Sequence, residues 1–239
     1  KMSFLHGEAA SAASANVQRR LARRRSLPRA APPPLPTLAV GAHRLHARCI
    51  AAEEIARLTT LYAALIQRFG NEVQGHGAHE WRASRNYMYG GERCISDDAS
   101  APSAAAEAGV FEPLMSALDA SGIVDGTMNG NAVELDSVCG HLYDAEDAKG
   151  EDGSSWYRHR DYCADDSLAA LSIIIEGSLP HAGGALEMSG RDETAAVDVV
   201  ALQPGDALVL RQAWHKPRPI TSGRRVSFVF FFKRTPRRF

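Results

Sequence analysis

Residues 223–232 read GRRVSFVFFF. Phe228, Phe230 and Phe232 alternate with Val229 and Phe231, so a strand here is apolar on both faces. A strand with one wet face alternates apolar and polar side chains, whereas one that is apolar throughout is covered on both sides. The stretch is therefore predicted to lie between a sheet and a layer of helices. Upstream of it, short apolar or alternating runs follow one another at Val133–Tyr143, Ser155–Asp161, Leu168–Ile175, Ala185–Met188, Ala195–Leu202 and Ala207–Leu210. Turn signals separate them at Asp152–Gly153, Glu176–Gly177, Gly183–Gly184, Pro204–Gly205 and Ser222–Gly223. Many short strands at this spacing argue for an all-β sandwich or barrel.

Further upstream the period changes. In Ala51–Phe69, the side chains of Ile55, Leu58, Tyr62, Leu65, Ile66 and Phe69 recur every three or four residues, which predicts an amphipathic helix ended by Gly70. A second helix is predicted over Gly109–Ser121, burying Phe111, Leu114, Met115 and Leu118. Residues 71–108 are turn-rich. There Trp81, Tyr87 and Tyr89 lie among Arg82, Arg85 and Arg93, either as a surface loop pinned by aromatics or as a substrate-facing loop or hairpin. The fold class is mainly β with flanking helices (α+β).

The chain has 239 residues, enough to bury a full core without staples. Four cysteines (Cys49, Cys94, Cys139, Cys163) with no CxxC pair do not make a disulfide scaffold and read as reduced thiols in an intracellular compartment. No apolar run approaches the length of a membrane span, so no membrane partner is expected. The net charge of −1 hides an asymmetry. Residues 1–31 hold seven basic side chains against Glu8 alone, the last seven residues hold four with no acid, and the 201 residues between them net −11. An acidic body is a poor general nucleic-acid binder, since phosphate contacts need clustered Lys and Arg.

Residues 1–37 form a separate Ala/Arg/Pro-rich segment ending in Pro33–Pro34–Leu35–Pro36. Three readings compete: an organellar transit peptide, a basic arm for an anionic partner, or a flexible tail. Organelle or nucleus is compatible with this segment, and cytoplasm otherwise. A single domain is expected over 38–239, with helical and loop support over 38–128 and the β core over 129–239.

Chemistry enters at Trp156–Tyr157–Arg158–His159–Arg160–Asp161. On a strand, i and i+2 share a side, so His159 and Asp161 project together with Arg160 away from them. A third metal ligand must come from another strand, and His215, after the strand 207–210, is the candidate. Ten residues beyond it, Arg225 emerges in an otherwise apolar strand, where a buried guanidinium needs a carboxylate partner. Two His and one Asp leave open positions on a metal, the facial triad of non-haem Fe(II) sites. His141 and His181 fit no triad spacing and read as structural or solvated. His76 and His79 read as loop residues. Cys163 reads as packing or as a neighbour of the metal.

The order His-x-Asp, distal His, then Arg on the last strand resembles the Fe(II)/2-oxoglutarate-dependent dioxygenases. Tyr157–Asp161, Gly183–Met188, Pro204–Leu210 and His215 with Pro219, Gly223 and Arg225 resemble their prolyl 4-hydroxylase-like branch, over about residues 133–233. The resemblance implies a double-stranded β-helix (jelly-roll, cupin-like) core packed against the N-terminal helices. It implies Fe(II) held by His159, Asp161 and His215, with 2-oxoglutarate and O2 as cosubstrates and ascorbate as a supporting reductant. Arg225 pairs with the far carboxylate of 2-oxoglutarate in this reading, or Arg224 if the register slips by one. Tyr143 sits where the family places a cosubstrate-binding tyrosine, and Ser172 is what the following strand offers. The implied reaction is hydroxylation of a C–H bond with release of succinate and CO2, on a protein or peptide side chain. Two alternatives stand beside it: the same chemistry on a nucleobase held through the basic tails, or on a small metabolite, and a non-catalytic jelly-roll binding module. The sequence sets no oligomeric state.

Overall fold

The computed structural model describes residues 37–40, 43–69, 71–72, 84–89, 104–124, 133–145, 158–163 and 168–234. The strands before the core are β1 (Thr37–Val40), β2 (His43–His46), β3 (Asn71–Glu72) and β4 (Ser84–Tyr89). The helices are α1 (Ala52–Phe69) and α2 (Ala104–Ser121). Then come β5 (Val133–Asp144), β6 (Leu171–Glu176), β7 (His181–Gly183), β8 (Leu186–Met188), β9 (Asp198–Val200), β10 (Ala207–Leu210), β11 (His215–Pro217) and β12 (Ile220–Arg234).

Two antiparallel sheets form. The large one runs β1-β2-β10-β6-β12-β5-β4-β3, with β7 added beside β12, and the small one runs β11-β8-β9. His159 extends the small sheet past β11 by pairing with His215. Strand β12 decides the layering. Its even positions Val226, Phe228, Phe230 and Phe232 join the core under the helices, while Val229 and Phe231 join a second core between the sheets. Strand β6 splits the same way, with Ile173 and Ile175 toward the helices and Ile174 toward the small sheet. Both strands are therefore covered on both faces, as their composition required.

Helix α1 buries Ile55, Leu58, Tyr62 and Ile66 to 1% exposure or less, all on the predicted face. Tyr62, Phe111 of α2 and Phe228 of β12 meet edge-on, with ring centroids 5.2–6.2 Å apart. A Cβ on Gly140 of β5 would fall on the Tyr62 ring, so only glycine lets helix and sheet approach this closely. The mid-helix Thr59 hydroxyl donates to the Ile55 carbonyl and accepts the Ser178 amide at 3.1 Å, tying α1 to the turn after β6.

Several expectations change. Helix α2 starts at Ala104, five residues early, because Ala104–Ala105–Ala106–Glu107–Ala108 are strong helix formers and Gly109 does not stop them. Asn71–Glu72 and Ser84–Tyr89 form the β3–β4 pair, which extends the large sheet along β5. Of Ala195–Leu202 only Asp198–Val200 form a strand. Ser222–Gly223 lies inside β12, just past the one-residue slip in its pairing with β7 between Ile220 and Ser222, and is not a turn. The basic segment 1–36 lies outside the described residues. So do Gly70, His76, His79, Trp81, the turn 152–153, the 235–239 tail and the side chains of Tyr87 and Tyr89. Among the described residues no helix is long and apolar enough to cross a membrane.

Candidate metal centre

His159 and His215 are cross-strand neighbours. Each backbone amide donates to the other's carbonyl, at 3.0 and 2.9 Å. Their rings are stacked at a tilt with centroids 4.4 Å apart. Asp161 follows on the same side, its Oδ1 3.5 Å from His159 Nε2 and 3.6 Å from His215 Nε2. The flanking arginines turn away, as alternation along an extended segment demands. Arg158 donates to the Ser189 hydroxyl and the Glu193 carbonyl, and the Arg160 guanidinium lies 5.1 Å over the Trp214 ring.

The donor set fits a divalent metal ion. One donor atom from each of the three residues lies within 4.8 Å of the others. Asp161 Oδ2 is buried without a hydrogen-bond partner among the described residues, so one lone-pair-bearing oxygen is left for another ligand. His215 Nδ1 sits 3.1 Å from the Ala213 carbonyl, and a proton held there leaves the Nε2 lone pair toward the centre. Electrostatics favour the same states. Burial would raise the Asp161 pKa, but His215 and the hydrogen bond from His159, with a smaller share from Ser172, hold its carboxyl well below the usual range. Burial pushes His215 down to about 4 despite Asp161 beside it, so the imidazole is neutral and able to ligate.

The inner face of the large sheet supplies the rest of the wall. Strand pairing sets Arg225 opposite Tyr143, and Ser227 opposite both His141 and Glu176. Arg225 lies 5.6 Å from the Tyr143 ring, whose hydroxyl is pushed upward in pKa by burial. Arg224, one residue earlier, is exposed. Ser172 is buried and acts on Asp161. Cys163 packs in the core between the sheets.

Three residues that the sequence marked only as structural or solvated (His141, His181) or as part of a turn (Glu176) lie near these side chains. His141 stacks on Tyr143 with Nε2 3.0 Å from the Cys139 sulfur. Burial first, then the nearby His159, lower its pKa to about 3, and Asp161, Arg225 and His215 also act on it. Glu176 receives Arg225 Nε at 2.9 Å and Nη2 at 2.6 Å, and His181 Nε2 is 3.8 Å from it. The available signal was parity: His141 is two residues before Tyr143, and Glu176 two after Ile174, on strands whose inward positions were already set.

A large sheet facing a small one, with a His-Asp-His cluster on the small sheet, is the double-stranded β-helix architecture of the 2-oxoglutarate–Fe(II) oxygenases. Solved structures of that class superpose on this chain. A prolyl-4-hydroxylase from Pseudomonas putida matches with a TM-score of 0.52 and 19% identity, covering 83% of this chain and 95% of its own. A 2-oxoglutarate–Fe(II) oxygenase family oxidoreductase from Burkholderia pseudomallei gives 0.54 and 18%, covering 92% and 91%. A prolyl hydroxylase from Trichoplax adhaerens, in complex with a hypoxia inducible factor peptide fragment, gives 0.54 and 10%, covering 96% and 94%. At such identities the likeness is one of fold. No family model and no curated protein matches the sequence.

Proposed function

We propose that the protein is an Fe(II)- and 2-oxoglutarate-dependent oxygenase that hydroxylates a C–H bond of a protein or peptide side chain. The observation that carries this reading is the His159–Asp161–His215 cluster with its orphaned Asp161 Oδ2, set in this fold opposite the buried Arg225. Iron held by these residues would supply O2 activation coupled to oxidative decarboxylation of 2-oxoglutarate to succinate and CO2. His159, Asp161 and His215 hold the metal, and the Ala213 carbonyl keeps the His215 ring in the ligating tautomer. Arg225 binds the far carboxylate of the cosubstrate, with Tyr143 and His141 forming the wall along its length. Ile174, Leu208 and Val229 exclude water from behind them. A peptide substrate is favoured by the peptide-bound state of the Trichoplax relative.

The purified protein, given Fe(II), ascorbate and 2-oxoglutarate, is expected to release succinate slowly even without a substrate. His159→Ala and His215→Ala are expected to abolish this release and the bound metal together. Wild-type protein that binds metal yet neither binds nor consumes 2-oxoglutarate refutes the reading.

A further inference from the structure

The guanidinium of Arg225 has a carboxylate partner already. Its Nε donates to Glu176 Oε1 and Oε2 at 2.9 and 3.1 Å, and its Nη2 donates to Oε2 at 2.6 Å. The two side chains are only 3% and 1% exposed. This is the side-on bidentate geometry, which leaves the Nη1 end of the fork for any further anion. Glu176 is not placed to leave. Its amide donates to the Asp206 carbonyl, its carbonyl accepts the Gly205 amide, and the next turn is tied to Thr59 of α1. His181 Nε2 also lies near its carboxylate, at 3.8 Å. Arg225 is confined as well, since a Cβ on Gly184 would come within 2.9 Å of its Cδ and strike Ile220. The chain has thus built the pair into its interior, and one guanidinium charge must serve two carboxylates when a 2-oxo diacid binds.

We propose that Glu176 is a specificity-determining residue of the cosubstrate pocket, lowering its preference for 2-oxoglutarate over monocarboxylic 2-oxo acids. The inference rests on the oxygenase reading above. The metal triad grips the 2-oxo acid end, which both classes of acid share, and Glu176 acts only on the distal end. A distal carboxylate meets a neutralised arginine and a fixed negative charge, while a distal methyl meets neither penalty.

The test is isothermal titration of the full chain loaded with Mn(II), without O2, using 2-oxoglutarate and 2-oxobutanoate as probes. Wild-type protein is expected to prefer 2-oxoglutarate by less than about thirtyfold. Glu176→Gln should bind 2-oxoglutarate about tenfold or more tighter, as expected for removing one unit charge a few ångströms away, and shift 2-oxobutanoate less than about threefold. Glu176→Asp, which keeps the charge, should leave both affinities near wild type. A folded Glu176→Gln that binds 2-oxoglutarate no more tightly overturns the proposal. So does a wild-type preference beyond about a thousandfold, which is read without any variant. If metal-loaded wild type and Glu176→Gln bind neither acid, the oxygenase reading itself fails and this inference with it.

Discussion

The Arg225–Glu176 pair makes a sharp prediction about stability, because both partners are at or below 2% exposure and share three hydrogen bonds of 2.6–3.1 Å. Replacing Arg225 by Met leaves the carboxylate of Glu176 without its guanidinium in a site water does not reach. Breaking such a pair from one side costs about 3–5 kcal/mol, most of it the stranded charge and not the lost attraction. For a chain of this size that is a fall of about 6–20 °C in Tm. Replacing both, as Arg225→Met with Glu176→Leu, removes the stranded charge and should bring stability back to within about 1 kcal/mol of wild type. Glu176→Gln should lie between these cases, since its amide oxygen still accepts from Nε. Urea unfolding of metal-free protein, followed by circular dichroism at one pH, reads wild type, Arg225→Met, Glu176→Leu and the double variant as a double-mutant cycle, with Glu176→Gln measured beside it. Additive single costs below about 1 kcal/mol each would show that Glu176 does not hold Arg225, and would refute the reasoning.

Three further outcomes follow from the same structure. Arg225→Ala should weaken 2-oxoglutarate binding by about tenfold or more in calorimetry, while Arg224→Ala, on the exposed side of β12, should leave it within about twofold; the reverse result would move the anchor to Arg224. Gly140→Ala should destabilise by about 2–4 kcal/mol because its methyl lands on the Tyr62 ring, whereas Gly109→Ala, in open space on α2, should stabilise by up to about 1 kcal/mol, both read from urea midpoints. His215 and His141 titrate near 4 and 3 when folded but near 6.5 when unfolded. Each binds its proton more weakly in the native state, so metal-free stability is full above pH 6.5 and falls as pH drops toward 4, by at most about 1.4 kcal/mol per unit for each group; a stability that is flat or rises over that window contradicts the buried, neutral assignment.

Much of the fold and the triad were legible in the chain because they depend on short-range regularities. Alternation placed His159 with Asp161 and turned Arg160 outward, and the unbroken apolar run marked β12 as covered on both faces. Three- and four-residue spacing identified α1 and the buried side of α2. Arg225 stood out as a lone charge in an apolar strand, and that oddity alone demanded a carboxylate. The family resemblance offered the far carboxylate of 2-oxoglutarate for it, and nothing local pointed to a carboxylate of the chain itself. Glu176 lies 49 residues away and is followed by Gly177, so locally it reads as the edge of a turn. Only the pairing of β6 with β12 brings it to the guanidinium. The same holds for His141, which the register of β5 sets opposite Ser227 of β12, and for β1 to β4, whose weak local patterns become strands because exposed sheet edges offer them hydrogen bonds. Local periodicity by itself determined which side chains point inward. Tertiary structure decided which of them meet, because contact between distant strands is set by register, and register is a property of the assembled sheet.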